Sequence, residues 1–327
     1  MATFVTTRRM GPELAARVEA SVRGERSHAG EARETKWRLP LVAIARFGGA
    51  LSIVALVCTV VVFRRRDRRD FERERAAFID RVHAASASLT PSDDEAVVRV
   101  ESWLVRSSGA YEGDFLAEEL RPKGALAAVL ARPSMYVRGS MVQLTRKTGI
   151  AEVAATSLKD PFLVCLVEAP ASRSETALLA RVREAYSNEA EQHSTQVRRF
   201  REAQVGLPFL LPAWAENVRS ADTPEKLERL RDEFEKVPID AATQAAKAGL
   251  LLFAMDEPGE AGGPTELDGE RAHFVRVGLV DLPSARVLLR MRKRVDPSWI
   301  SAAKRPLFAS GLDGCALAFD IREALGR

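Results

Sequence analysis

The densest set of groups that could do chemistry in this sequence is acidic. Asp256, Glu257, Glu260, Glu266, Asp268 and Glu270 fall between residues 256 and 270, a stretch without Lys or Arg. Pro258, Pro264 and four glycines keep it irregular. Carboxylates gathered after a strand offer hard oxygen ligands to a divalent cation, which makes Asp256, Glu257 and Asp268 the candidate metal ligands. Their spacing does not follow an EF-hand loop. A solvated hairpin connection and a docking loop for a basic partner are the plainer alternatives.

A basic group follows. Arg276, Arg290, Arg292, Lys293 and Arg294 lie on or beside one face of an expected β-hairpin and could meet phosphate, nucleic acid or lipid head groups. No aromatic residues interleave with them, which argues against binding single strands. A solvent-exposed sheet face, or one covered by the acidic helix 225–236, needs no ligand at all.

Other reactive types are scattered. There is no phosphate loop, no G-x-G-x-x-G after a strand and no G-x-S-x-G, and Gly311 and Gly314 are expected in a turn. His28, His83, His193 and His273 show no metal spacing. Three cysteines in 327 residues are too few for a disulfide scaffold. Cys58 falls in an apolar run, and Cys165 and Cys315 are expected to be buried as small hydrophobes. No catalytic set and no cofactor are expected from these residues.

The elements that would position them alternate in type. Ser92 and Glu95 are spaced as a capping box ahead of a helix carrying Val97, Val100, Trp103 and Leu104. Helices are predicted over 114–120, 124–130, 150–157, after Ser172/Glu175 with Leu178, Leu179 and Val182, and over 240–248. Thr223 and Pro224 begin another, as N-cap and first helical residue. Met135–Arg138 is a short strand candidate. Phe162–Glu168 and Leu250–Met255 are continuous apolar runs of the kind found in strands buried on both faces. The prolines of Leu207–Pro212 argue against a regular element there. Residues 273–282 and 286–293 alternate as a hairpin, with Val275, Val277 and Leu279 opposite Val287, Leu289 and Met291 on the core face. A last helix is expected to break near Gly311–Gly314. The fold class is α/β: a mixed sheet covered by helices, with a C-terminal antiparallel hairpin.

Charge locates the chain. The formal net charge is +4, but residues 1–89 hold 17 Lys/Arg against 10 Asp/Glu, while 90–327 hold 32 against 35. A nucleic-acid domain should carry its own basic excess, so nucleic acid is not the expected partner. The preference for arginine, 40 against 9 lysines, fits a GC-rich bacterial genome. From Phe47 to Phe63 no residue is charged, and Arg46 can snorkel so that the residues from Leu39 complete a span. The flanks do not suit a cleaved signal peptide. Four regions are expected: a flexible basic tail over 1–38 (with a short amphipathic stretch, 12–22), a single-pass transmembrane helix or signal anchor over 39–63, a charged helical stalk over 64–89 and a globular domain over 90–327. Arg64, Arg65, Arg66, Arg68 and Arg69 would lie against anionic lipid head groups. Ala45/Gly49 and Gly48/Ser52 offer close packing between two such helices, hence a homodimer. Eight Lys/Arg over 64–81, against five over 24–46, favour a cytoplasmic domain on a bacterial inner membrane. The leading expectation is a membrane-anchored protein presenting a non-catalytic interaction or assembly domain to a protein partner. Its alternatives are a tethered metal-dependent hydrolase using the 256–270 loop and an adaptor for anionic lipid or nucleic acid.

Overall fold

A computed structural model describes residues 41–157, 160–187, 197–258 and 272–326, with the side chains of 41–54 and 306–310 excepted. The chain divides into two units, 1–67 and 68–327. In chain order the elements are α1 (Leu41–Ser86), α2 (Pro91–Asp94), α3 (Ala96–Ser107), β1 (Phe115–Leu116), α4 (Ala125–Leu130), β2 (Ser134–Ser140), α5 (Met141–Leu144), α6 (Lys147–Ala154), α7 (Pro161–Val167), α8 (Glu175–Tyr186), β3 (Val197–Arg199) and α9 (Phe200–Gly206). Then follow α10 (Pro212–Arg219), α11 (Pro224–Glu235), α12 (Ile239–Ala246), β4 (Leu250–Asp256), β5 (His273–Asp281), β6 (Arg286–Val295) and α13 (Arg305–Ala324).

Six strands form one mixed sheet in the order β1-β6-β5-β4-β2-β3. β2 is parallel to both β3 and β4, and the β4–β5, β5–β6 and β6–β1 pairs are antiparallel. The α/β expectation holds at this level. Alternation along each strand divides its side chains between two cores. Tyr136, Leu250, Leu252, Val275, Val277 and Leu279 pack with α7, α8 and α13. Met135, Val137, Leu251, Phe253 and Met255 pack on the other face with Val100 and Leu104 of α3, Ile150 and Val153 of α6 and Phe200 of α9.

Several local expectations are corrected. Phe162–Glu168 is not a strand: Asp160 caps a helix by accepting from the Phe162 N–H, and Pro161 is its first residue. An apolar run of six, Phe162–Val167, has no period that separates a buried strand from a buried helix, and here the cap decides. Residues 114–120 are not helical but form β1 and a 3-10 turn, Glu118–Leu120. The prolines near 207–212 start structure instead of preventing it, since Pro208 lies at the front of a 3-10 turn and Pro212 opens α10. The capping box is Thr90 with Asp93, not Ser92 with Glu95, and Ser174 rather than Ser172 caps α8. A bulge between Leu279 and Val280 shifts the hairpin register, so Val287 opposes Val280 and leaves the face of Leu279.

α13 runs unbroken through Gly311 and Gly314. Both glycines serve contact instead of a turn. A Cβ on Gly311 would lie 2.7 Å from the Tyr186 hydroxyl and from a Val182 methyl, and one on Gly314 would lie 2.9 Å from Nη1 of Arg138. Close approach lets Cys315 on α13 bond to Cys165 on α7, both fully buried. The two cysteines expected as free hydrophobes are therefore a disulfide across 150 residues, a separation that carries no local signal.

The first half of α1 bears the apolar run. Leu56, Val57, Val60, Val61, Val62 and Phe63 are exposed, and Arg64–Arg66 follow directly. Among the described residues no helix is long and apolar enough to cross a membrane. The tail over 1–38 and residues 39–40 lie outside the described residues. Further along α1, Phe78 and Val82 are buried against Val218 of α10 and Leu227, Leu230 and Phe234 of α11, with the Phe78 and Phe234 rings edge-on at 5.6 Å. The stretch read as a stalk thus has solvent on one side only beyond Phe71. α11, expected as a possible cover for the hairpin, is used here instead.

Gly311→Ala provides a test of the glycine reading. Alanine gains about 1 kcal/mol of helix propensity, but overpacking against Tyr186 and Val182 costs roughly 1–3 kcal/mol. The substituted chain should melt below the native one, whereas a glycine that merely tolerated a helix would be stabilised by the change.

Candidate functional site

Asp256 ends β4 and Glu257 follows it in extended chain, its N–H donating to the Phe274 carbonyl, so the two side chains leave toward opposite faces of the sheet. Each is met there by arginine. On the first face the Arg138 guanidinium, from β2, holds Asp256 in a fork: Nε to Oδ2 at 3.1 Å and Nη2 to Oδ1 at 2.9 Å. Nη1 of the same guanidinium donates to Oδ1 of Asp160 at 2.9 Å, and the Tyr136 hydroxyl donates to Oδ2 of Asp160. His273, the first residue of β5, places Nε2 3.1 Å from Oδ1 of Asp256. The Asp256 side chain is fully buried and that of Arg138 is 11% exposed.

Burial on its own would raise the Asp256 carboxyl. The Arg138 charge, then the His273 and Arg138 hydrogen bonds, overcome it and hold the group down at about 2. Burial, then Asp160, push the Tyr136 hydroxyl well above its ordinary value, so it remains a donor. Next to this cluster lies Asp313 on α13. The Trp299 indole N–H donates to its Oδ1 at 2.9 Å, while its Oδ2 is enclosed without a partner. Burial raises this carboxyl to about 6 against the effect of Trp299 and of the charges on His273 and Arg138.

On the opposite face Glu257 receives Arg276 Nε at 2.5 Å and Arg292 through Nε at 2.9 Å and Nη2 at 2.6 Å. Burial opposes ionisation of Glu257, and the two arginines lower its pKa regardless. Arg276 also donates to the carbonyls of Ser107 and Gly109, and Arg290 donates to the Gly113 carbonyl and pairs with Glu112. The basic hairpin face is therefore neither bare nor covered by α11. It carries the 107–114 connection, fastened by its own arginines.

The candidate metal ligands are not brought together. Asp256 and Glu257 are divided by the sheet, and Asp268 lies outside the described residues. Among the described residues no group of three His, Cys, Asp or Glu could hold a metal ion. The lipid candidates Arg64, Arg65, Arg66, Arg68 and Arg69 are exposed on α1, and Arg68 pairs with Glu72 one turn on. Sequence reasoning missed Arg138, Asp160, Tyr136 and Asp313. A charge inside the apolar Met135–Val137 strand, and Asp160 directly before Pro161, were the signals available. No protein-family model, no curated protein and no solved structure matches this chain.

Breaking a buried ion pair by removing one partner costs about 3–5 kcal/mol. Arg138→Met, assayed by thermal melting in detergent at pH 7, should lower the melting temperature by roughly 10 °C. Because the Asp256 pKa falls from 3.8 to about 2 on folding, its contribution is complete above pH 4 and is lost as the pH drops from there toward 2. The deficit of the variant should shrink over that same interval.

Asp313 has the opposite sign. Its value rises from 3.8 to about 6 on folding, so the folded state binds the extra proton and stability declines as pH climbs between those values. Asp313→Asn keeps an acceptor for Trp299 without the charge. It should melt several degrees above the native chain at pH 8, with the gap closing toward pH 4; a gap independent of pH would sink this assignment.

Proposed function

We propose that the chain is a single-pass membrane-anchored protein that presents its α/β domain as a non-catalytic module for interaction or assembly. The observation that carries this reading is the run of exposed aliphatic and aromatic side chains from Leu56 to Phe63 on α1, closed by Arg64–Arg66. Bare in water, such a surface is costly, and lipid is the partner its chemistry fits. Residues 39–63 as a helix would extend ~37 Å at ~1.5 Å per residue, enough for a hydrocarbon core of ~30 Å. Arg64, Arg65, Arg66, Arg68 and Arg69 then fall at the level of the head groups, where anionic lipid would hold them.

Support for a non-catalytic domain comes from how its ionisable groups are used. Arg138, Asp160, Asp256 and His273 are spent on one another, and Glu257 is spent on Arg276 and Arg292. A lattice of this kind holds strands and helices in register. The tethered-hydrolase alternative would need Asp256 or Glu257 released from arginine.

The side of the membrane follows from two opposed arguments. The arginines after Phe63 favour a cytoplasmic domain, but the eight Lys/Arg before Arg46 pull the other way. The Cys165–Cys315 disulfide supports the second of these, because buried structural disulfides belong to oxidising compartments. We place the domain on the outer side of a bacterial inner membrane and the N-terminal tail inside.

C-terminal fusions to alkaline phosphatase and to green fluorescent protein test this directly. The phosphatase fusion should be active and the fluorescent one dark, with the protein retained in membranes after carbonate extraction. In denaturant, maleimide should label Cys165 and Cys315 only after reduction. Release by carbonate would overturn the anchor; a bright fluorescent fusion would return the domain to the cytoplasm.

A further inference from the structure

The hairpin face that carries Glu257 also holds a cavity of about 200 Å³, open at one side, between strands β4–β6 and the chain that leaves the end of α3. Its shape has identifiable causes. α3, α6 and α9 cover this face over β2 and β4, whereas over β5 and β6 the cover among the described residues is the 107–114 connection. Gly278 has no side chain to raise the floor, and the Phe253 ring lies across it: a Cβ there would be 2.1 Å from the ring. The bulge at Leu279/Val280 turns Val280 and Val287 into the same space. Trp103 on α3 forms the facing wall. The floor is thus apolar with Phe253 and Trp103 beside it, while Tyr111, Arg276 and Arg290 give the rest of the lining its polar atoms.

The charges around the mouth are not equivalent. Arg276 and Arg290 are committed to Glu257 and Glu112 and to the backbone carbonyls that hold the roof. They build the cavity and have no fork left for a ligand. Glu112 is in turn neutralised by Arg290. Arg106 differs. It lines the cavity, is exposed, lies with its guanidinium 4.9 Å from the Trp103 ring centroid and pairs with no carboxylate among the described residues. The Trp103 face orients that fork at the mouth without satisfying it.

We propose that this cavity is a binding site for a small aromatic carboxylate, its ring held between Phe253 and Trp103 over Val280 and Val287 and its carboxylate in the fork of Arg106. The volume lies below the roughly 300–1,000 Å³ of sites for drug-sized ligands, which selects a single-ring compound over a lipid or a nucleotide. A carboxylate is the planar anion that a guanidinium binds through two parallel hydrogen bonds. The site does not depend on the membrane anchor or on which side the domain faces.

The test is calorimetric titration of the full-length protein in detergent with phenylacetate and with its uncharged isostere, 2-phenylacetamide. Phenylacetate should saturate one site, and the amide should bind at least tenfold more weakly. Arg106→Gln, a change at an exposed residue, should weaken phenylacetate at least tenfold and leave the amide unaffected. Val287→Trp should fill the cavity and abolish binding of both; should that variant fold poorly by circular dichroism, Val280→Met supplies the same test with a smaller intrusion. Absence of saturable phenylacetate binding by the native chain, or equal affinity in Arg106→Gln, overturns the proposal.

Discussion

Arg138 places a full positive charge in the layer between the sheet and α7, α8 and α13, where a lone guanidinium would be untenable. Its three donor directions are met by two carboxylates that the fold must deliver to it. Asp256 arrives as the last residue of β4, in register with Ser140 on β2, and Asp160 arrives as the cap of α7. His273 begins β5 against the same carboxylate, and Gly314 on α13 leaves the guanidinium room. One side chain thereby fixes the relation of three strands and two helices. Such a pair adds little net stability compared with a well-packed apolar core, but leaving either half unpaired is severe, so it specifies one arrangement.

The rest of the domain follows from that centre. The chain that ends β4 with Asp256 continues with Glu257, and alternation sends the second carboxylate through to the other face, where Arg276 and Arg292 take it. The arginines of the hairpin then hold the 107–114 connection over β5 and β6, and the space left beneath it is the cavity at Phe253 and Gly278. On the first face the contact between α7 and α13 is closed covalently by Cys165 and Cys315. The abundance of arginine is therefore not a uniform basic surface. Over Arg64–Arg69 it faces outward from α1, whereas Arg138, Arg276, Arg290 and Arg292 are held by acidic partners and carbonyls.

Legibility varied with how local the deciding physics was. β4 could be read from its apolar run, the hairpin from strict alternation, and α11 from Thr223 before Pro224. A cap directly before proline also stands ahead of Phe162, as Asp160-Pro161, and it marks α7 where the apolar run alone suggests a strand. Val287 was misplaced because a single bulge reverses which face a residue takes, and nothing in its neighbours announces the extra residue. Gly311 and Gly314 look like breakers from sequence because backbone propensity is visible locally, whereas the side chains that press on them, Tyr186 and Val182 on one and Arg138 on the other, are not.

Composition, periodicity and capping are short-range properties, and by themselves they determined the α/β class, the extents of β4 and the hairpin, the start of α11, and the apolar segment bracketed by arginine. Partnership is long-range. That Arg138 would meet Asp256 across 118 residues, that Cys165 would bond Cys315 across 150, and that Glu257 would be parted from Asp256 by the thickness of a sheet were decided only by tertiary structure. The physical reason is the same in each case: a buried charge or thiol is defined by what surrounds it, and its surroundings come from segments that no local window contains.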